Sequence, residues 1–295
     1  MATPPTEEVE PMIELAENRY GKSRVRLMKV TRHDQGHDLR EWTVQVLLRG
    51  DFDTAHLHGD NSNILPTDTM KNTVYSIARS SKASTMEDYA KELADFLLGR
   101  NQQAHSASIR VESTLWKRLT VDGKPHPSAF MRGSGELQTT SVERAQHGTF
   151  DILSGLDNLV LLKTANSGFE GYIKDSLTTL PETKDRLFGT AVSAEWRYTS
   201  SNLAFDTVRT TLRETMLRTF ANHNSKSVQQ TLYAMAESAL EAVPEIDEIE
   251  IIMPNKHCLL VDLSRFGQDN PNEIFVPTDE PHGYIEARVR RKSLQ

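Results

Sequence analysis

A polar turn joins two strand-like runs at residues 249–263, where the sequence reads Ile249-Glu250-Ile251-Ile252-Met253-Pro254-Asn255-Lys256-His257-Cys258-Leu259-Leu260-Val261-Asp262-Leu263. In the first run, Ile249 and Ile251 alternate with glutamates, and alternation with period two predicts a strand that has one buried face. A polar tetrapeptide between such runs is commonly a plain turn. This one also carries Asn255 and His257, an amide and an imidazole that can hold a small polar ligand and move a proton.

The pattern around this turn recurs along the chain, with helical spacing between the strand-like runs. The first half predicts strands at 19–31, 40–50, 105–119 and 134–147, with helices after Thr67 and at 85–99. The second half predicts strands at 158–164, 192–198, 249–253 and 285–289, with helices at 203–222 and 227–243. Each half therefore reads strand, strand, helix, helix, strand, strand.

This order predicts an α+β fold in which antiparallel strands form one layer and the helices cover one face of the sheet. We divide the chain into a disordered N-terminal tail at 1–15, a first half at 16–150 and a second half at 151–295. The free sheet edges predict an oligomer, because unpaired strand edges need to be covered.

Composition excludes several classes of protein. The net charge is −7 with scattered basic residues, so nucleic acid is not an expected partner, and no apolar window reaches the length of a membrane span. The single cysteine, Cys258, excludes an intrachain disulfide and a cysteine-rich zinc site. The start of the chain lacks the apolar core of a secretory signal, and the final residues are not the peroxisomal ending Ser-Lys-Leu. We therefore expect a cytoplasmic protein.

Two groups of polar residues in the first half are candidates for proton transfer. Lys22 begins the first strand, where a lysine is ordinarily a solvated charge but acts as a base when its pKa is depressed. Thr67 and Asp68 precede a helix, and their short side chains are typical caps of a helix start. The Thr67 hydroxyl can relay a proton as well. The pair His56-x-His58 lies in a predicted polar loop without an obvious third ligand, so no metal site is expected there.

The second half supplies candidates for ligand binding. Phe169 has the ordinary interpretation of a core residue, and Arg186 that of a surface ion pair, but a guanidinium fork can also hold a planar acceptor by two hydrogen bonds. Gln229 is an ordinary helix former, and its amide also matches the edge of a cyclic imide or urea.

These pieces together resemble the urate oxidase family, the cofactor-independent uricases, from residue 16 to residue 290. The order and spacing of the motifs carry the resemblance: Tyr20-Gly21-Lys22, Thr67-Asp68-Thr69, Lys71-Asn72-Thr73-Val74-Tyr75, Phe169 to Arg186, Val228-Gln229-Gln230-Thr231, Pro254-Asn255-Lys256-His257 and Phe266-Gly267-Gln268-Asp269-Asn270-Pro271-Asn272-Glu273. The resemblance implies the tunnelling fold (T-fold), in which two subunits form a barrel and two barrels stack into a homotetramer with active sites between subunits.

The resemblance also implies an activity and roles for the candidate residues. Urate would react with O2 and water to give 5-hydroxyisourate and hydrogen peroxide, with no cofactor. The implied proton relay is Lys22, Thr67 and His257. The implied substrate-binding residues are Thr67, Asp68, Phe169, Arg186, Val228 through its backbone N–H, Gln229 and Asn255, the last of which holds O2 and then water. Two alternatives stay open, namely a metal-dependent purine or pterin enzyme of the same fold and a purine-binding tetramer without catalysis.

Overall fold

The computed structural model describes residues 13–292, and its main feature is an eight-stranded antiparallel sheet. In spatial order the strands are β1 (Tyr20–His33), β2 (Gly36–Gly50), β3 (Ala104–Val121), β4 (Lys124–Ala145), β5 (Phe150–Lys163), β6 (Phe188–Tyr198), β7 (Ile246–Ile252) and β10 (Glu286–Arg290). Two short strands pair separately, β8 (Cys258–Leu260) with β9 (Phe275–Pro277). The helices are α1 (Asp53–His58), α2 (Thr67–Ser80), α3 (Met86–Arg100), α4 (Phe205–Asn222), α5 (Val228–Ala242) and a 3-10 turn at Ser264–Phe266.

One face of the sheet packs against the helices because the strands alternate. In β2, Trp42, Val44, Val46 and Leu48 are buried while the residues between them are half-buried or exposed. The apolar stripes of α2 to α5 meet these side chains in one continuous core. The predicted α+β arrangement, with antiparallel strands and helices on one face, is confirmed.

Among the described residues, a side-chain hydrogen bond caps the start of α3 and of α5, whereas α1, α2 and α4 begin without one. The Thr85 hydroxyl caps α3 by accepting a hydrogen bond from the Asp88 N–H at 3.1 Å, and Ser227 caps α5 in the same way. The capping prediction for Thr67 and Asp68 is wrong. Pro66 occupies the cap position and makes no side-chain bond, so Thr67 is the first residue of α2.

Most predicted elements are present, and the differences have local causes. Residues 54–63, predicted as a polar loop, include the single-turn helix α1, which ends at Gly59 in the left-handed conformation that favours glycine. The strand predicted at 258–263 is shorter, because only Cys258–Leu260 pairs with β9. The division at residue 150 stays a prediction, since the sheet continues across it through β4 and β5. The predicted tail lies outside the described residues up to position 12, and 13–19 carry no regular structure.

A buried ion pair joins the helices of the two halves. Arg209 of α4 donates to the carboxylate of Glu87 in α3, and both side chains are almost completely buried. The same carboxylate accepts hydrogen bonds from the Ser154 hydroxyl at 2.5 Å and the Tyr198 hydroxyl at 3.3 Å. These partners offset part of the cost of burying the two charges, and they connect α3 to α4.

Candidate active site

The turn at 254–257 is held by three backbone neighbours. Its Asn255 N–H donates to the Gly283 carbonyl at 2.8 Å, and its Lys256 N–H donates to the Gly189 carbonyl at 2.9 Å. Both the N–H and the hydroxyl of Thr278 donate to the His257 carbonyl, at 2.9 and 3.0 Å. The backbone of the turn is thus fixed at the end of β7, and the half-buried side chains of Asn255 and His257 border the same cavity.

Arg186 and Phe169 border the same cavity. The Cζ of Arg186 lies 5.2 Å from the centre of the Phe169 ring, a distance at which a cation and an aromatic ring attract each other. Arg186 is half-buried, and burial lowers the pKa of its guanidinium. Its Nε is buried and has no hydrogen-bond partner within residues 13–292. Arg186 is therefore not the surface ion pair of the ordinary interpretation, and it retains a donor for a ligand.

The Phe169 ring is held by an aromatic neighbour that sequence reasoning did not assign to the site. Tyr172 stacks on it with 4.8 Å between ring centres and an angle of 15° between the planes. The Tyr172 hydroxyl in turn donates to the Leu180 carbonyl at 2.5 Å. Tyr172 therefore covers one face of the Phe169 ring. In the sequence, the only indication of this role is an aromatic residue three positions after Phe169.

The cavity between these groups has a volume of about 330 Å³, within the range of small-molecule sites. Its wall combines the aromatic ring of Phe169, the cation of Arg186, the amide of Asn255 and the imidazole of His257 with apolar side chains, including Leu180, Pro181, Leu187, Leu259 and Phe275. This arrangement suits a flat, polar or anionic molecule.

The start of α5 is connected to the same region. The Gly168 N–H donates to the Ser225 carbonyl at 2.8 Å, which places the residues before Phe169 beside the residues before Val228. Val228 is buried, whereas Gln229 is exposed. The first N–H groups of a helix lack partners inside the helix and favour a negatively charged ligand.

Lys22, Thr67 and Asp68 lie elsewhere in the chain. Lys22 is close enough to Asp68 to help lower the pKa of that carboxyl, although Lys71 is the larger cause through a hydrogen bond of 2.5 Å. Lys22 belongs to β1 and His257 follows β7. Six strand spacings of about 4.8 Å separate those strands, or about 29 Å along the sheet. A single chain therefore brings together Phe169, Arg186, Asn255 and His257 but not the other three residues.

Two further sequence observations concern metals and membranes. The Nδ1 of His56 lies 3.0 Å from the Phe52 carbonyl within α1, and residues 13–292 contain no group of three or more His, Cys, Asp or Glu side chains arranged to hold a metal ion. Within the same residues, no helix has both the length and the apolar character needed to cross a membrane.

Comparison with known proteins gives the family. The family model described as Uricase matches residues 18–143 and 152–286. The chain belongs to the uricase family. It is 41% identical over 278 residues to the uricase of Arthrobacter globiformis, covering 94% of this chain and 90% of that protein. It is 38% identical over 292 residues to the uricase of Aspergillus flavus, covering 94% and 97%.

Solved structures of uricases agree with this assignment. The crystal structure of the Arthrobacter globiformis uricase matches with a TM-score of 0.91 at 40% identity, covering 97% of both chains. A Bacillus sp. TB-90 urate oxidase mutant matches with a TM-score of 0.78 at 21% identity over 93% of this chain and 99% of that one, which shows the shared fold. The predicted family is therefore confirmed, and the single chain has the predicted T-fold class, while the oligomeric barrel stays a prediction.

Proposed function

We propose that this uricase-family chain oxidises urate with O2 and water to 5-hydroxyisourate and hydrogen peroxide. The observation that carries the site assignment is the cavity in which Arg186, with its unpartnered Nε, and Phe169 face the amide and imidazole of Asn255 and His257. Urate is a flat anion with imide and urea edges. The cavity provides a cation for the charge, a ring for the flat face and polar groups for the edges.

In this proposal four groups of the second half orient urate. Arg186 donates two parallel, charge-assisted hydrogen bonds to one edge of the substrate. Gln229, whose amide both donates and accepts, pairs with the opposite edge, and the Val228 N–H adds a donor at the helix start. Phe169 stacks on the purine through the face that Tyr172 leaves free.

The reaction transfers two electrons from urate to O2. O2 takes up these electrons and two protons and leaves as hydrogen peroxide, while the oxygen of water forms a bond to C5 of the purine ring as a hydroxyl group. The amide of Asn255 holds O2, and later water, over the ring. Lys22, Thr67 and His257 move the protons along a chain of hydrogen bonds. The urate anion itself supplies the electrons, so the proposal includes no metal or flavin.

The site is completed by a second subunit. About 29 Å of sheet separates β1, which carries Lys22, from β7 within one chain, and Asp68 lies near Lys22 at the start of α2. Within residues 13–292, β1 and β10 are the edge strands of the sheet, and unpaired edges favour closure by another copy. A second copy that contributes its own Lys22, Thr67 and Asp68 satisfies both requirements, in a homotetramer with sites between subunits. A cytoplasmic location stays a prediction from the sequence.

The activity is tested on protein that has been treated with a chelator and dialysed. We expect loss of the urate absorbance, uptake of O2 and an equal amount of peroxide without any added cofactor. A folded tetramer that leaves urate unchanged would refute the proposal. Activity that returns only with added metal would favour the metal-dependent alternative, and urate binding without O2 uptake would favour the binding protein.

The relay is tested with Lys22→Ala and Thr67→Ala. Because these residues transfer protons rather than hold most of the purine, turnover should fall far more than urate affinity, by about 100-fold or more. Unchanged turnover in either variant would remove that residue from the relay.

The shared site is tested by mixing two inactive subunits. Chains with Arg186→Ala and chains with Thr67→Ala are co-expressed with different affinity tags, and the mixed oligomers are isolated. If each site takes Arg186 from one chain and Thr67 from another, each mixed pair has one intact site of two. Before isolation, random pairing restores about a quarter of the wild-type activity because half of the pairs are mixed, and isolation of the mixed oligomers raises this share. No restored activity in the mixed oligomers would show that both residues act within one chain.

A further inference from the structure

We propose that Asp185 is a positioning residue for urate binding, because its carboxylate fixes segment 166–169 between Arg186 and the start of α5. The inference rests on the proposed function. It adds a residue that neither contacts urate nor transfers a proton. Asp185 borders the cavity and directly precedes Arg186 in the chain.

The main contact is a hydrogen bond across the connection between β5 and β6. The Ser167 N–H donates to the Asp185 carboxylate at 3.0 Å, and Ser167 is buried. Two residues further on, Phe169 and Thr183 exchange backbone hydrogen bonds of 2.7 and 3.1 Å. The Thr183 hydroxyl donates to the Asp185 carbonyl at 2.7 Å. The backbone that carries Phe169 is therefore joined at two points to the backbone that carries Arg186.

The same segment extends this connection to α5. The Gly168 N–H donates to Ser225, and the Ser225 N–H donates to the Asn166 carbonyl at 3.0 Å. The Ser225 hydroxyl donates to the carbonyl of Ser227, the cap of α5. Segment 166–169 thus lies between Arg186 and the helix start that presents Val228 and Gln229. Displacing this segment alters the spacing among the groups proposed to hold the purine.

Asp185 is exposed, and Lys163 is a charged neighbour of its carboxylate. Lys163 is buried, and its Nζ donates to the His223 carbonyl at the end of α4. Burial lowers the pKa of Lys163, and the negative charge of Asp185 opposes this effect. Asp185 is therefore close enough to interact with the charge of Lys163, and it directly precedes Arg186 in the chain. Substitutions must separate its role as a hydrogen-bond acceptor from its role as a charge.

Three substitutions make that separation. Asp185→Ala removes the acceptor and the charge, Asp185→Asn retains an oxygen that accepts from Ser167, and Asp185→Glu retains the charge but moves the oxygens by one methylene. The matched control is Asp175→Ala. Asp175 belongs to the same connection and its carboxylate also accepts from a backbone N–H, that of Leu177 at 2.9 Å, but it makes no bond to segment 166–169.

We expect Asp185→Ala to raise the urate KM about tenfold, the effect of one lost hydrogen bond, with a smaller change in kcat. Amide hydrogen exchange, followed by mass spectrometry on the oligomer, should become faster across 166–169. Asp185→Asn should restore both values to near wild type. Asp185→Glu should retain part of the defect, and this comparison with Asp185→Asn stands even if the alanine variant does not fold. Asp175→Ala should leave KM and exchange at 166–169 unchanged.

A wild-type KM in Asp185→Ala would overturn the proposal. The proposal would also be overturned if Asp185→Asn raised KM as much as a folded Asp185→Ala variant, or more than Asp185→Glu. In either case the charge, rather than the hydrogen bond, would be responsible. Hydrogen exchange requires no turnover. If the wild-type protein failed to oxidise urate, the proposed function would fall, while faster exchange in Asp185→Ala alone would still establish the structural connection.

Discussion

Arg186→Lys should weaken urate binding strongly while retaining the positive charge. In the structure the Arg186 Nε is buried without a partner among residues 13–292, and the guanidinium lies 5.2 Å from the Phe169 ring centre. A planar fork in this position offers two parallel donors to one edge of the purine. The lysine ammonium is a point charge on a flexible chain and cannot reproduce that geometry.

The expected magnitude follows from the hydrogen bonds. A hydrogen bond to a charged group contributes about 1.5–3 kcal/mol. Lysine replaces at most one of the two bonds, so the urate Kd should rise about 10- to 150-fold. Arg186→Ala, which loses both bonds and the charge, should weaken binding further.

Binding is best measured by calorimetry without O2, where urate is not consumed, and then compared with KM and kcat in air. The matched control is Arg100→Lys. Arg100 is exposed at the end of α3, and its guanidinium lies 4.4 Å from the centre of the Phe96 ring, so it has the same kind of aromatic contact away from the cavity. If Arg186→Lys bound urate within about threefold of wild type, paired recognition by the fork would be refuted.

Three other predictions concern the scaffold. Glu87→Ala should lower the free energy of unfolding by about 3–5 kcal/mol in chemical denaturation, because it leaves a buried guanidinium without its main partner, whereas the exposed Glu92→Ala on the same helix should have little effect. Burial raises the pKa of Tyr198 to about 12. The unfolded chain therefore releases this proton near pH 10 while the folded protein retains it. The stability from this group is complete below pH 10 and is lost as the pH approaches 12, by about 2–3 kcal/mol, so Tyr198→Phe should show a shallower alkaline decline in denaturation measured over that range. In Gly168→Ala the new Cβ would lie 2.9 Å from the Lys184 carbonyl oxygen. We therefore expect the free energy of unfolding to fall by about 1–3 kcal/mol and the urate KM to rise. Wild-type values of both quantities would show that the backbone moves to accommodate the methyl group at little cost.

The local structure was largely predictable from the sequence. Alternation such as that of residues 42–48 directs one face of a strand into the core, and steps of three and four residues do the same for α4 and α5. The helix predicted at 85–99 begins beside Thr85, which caps it. The order of the motifs led to the uricase family, which the comparisons confirm. Periodicity, capping and the order of motifs are all properties of residues along one chain, so a single sequence is enough to show them.

Some features of the site depended on contacts between distant segments. Tyr172 and Asp185 are ordinary loop residues in the sequence, and their partners, Phe169 and Ser167, became evident only when the connection between β5 and β6 was folded. Likewise, only the cap position taken by Pro66 excluded Thr67 as a helix cap. Periodicity and spacing carry no information about such contacts.

The turn at 254–257 shows the same division. The sequence by itself determined that an amide and an imidazole follow a strand, and that this pair belongs to a uricase-like set of motifs. The tertiary structure decided that Arg186 and Phe169 share a cavity with Asn255 and His257. It also decided that Lys22 lies on β1, at the opposite edge of the sheet. The physical reason is that strand order, rather than separation along the chain, determines the distance between residues in a folded sheet.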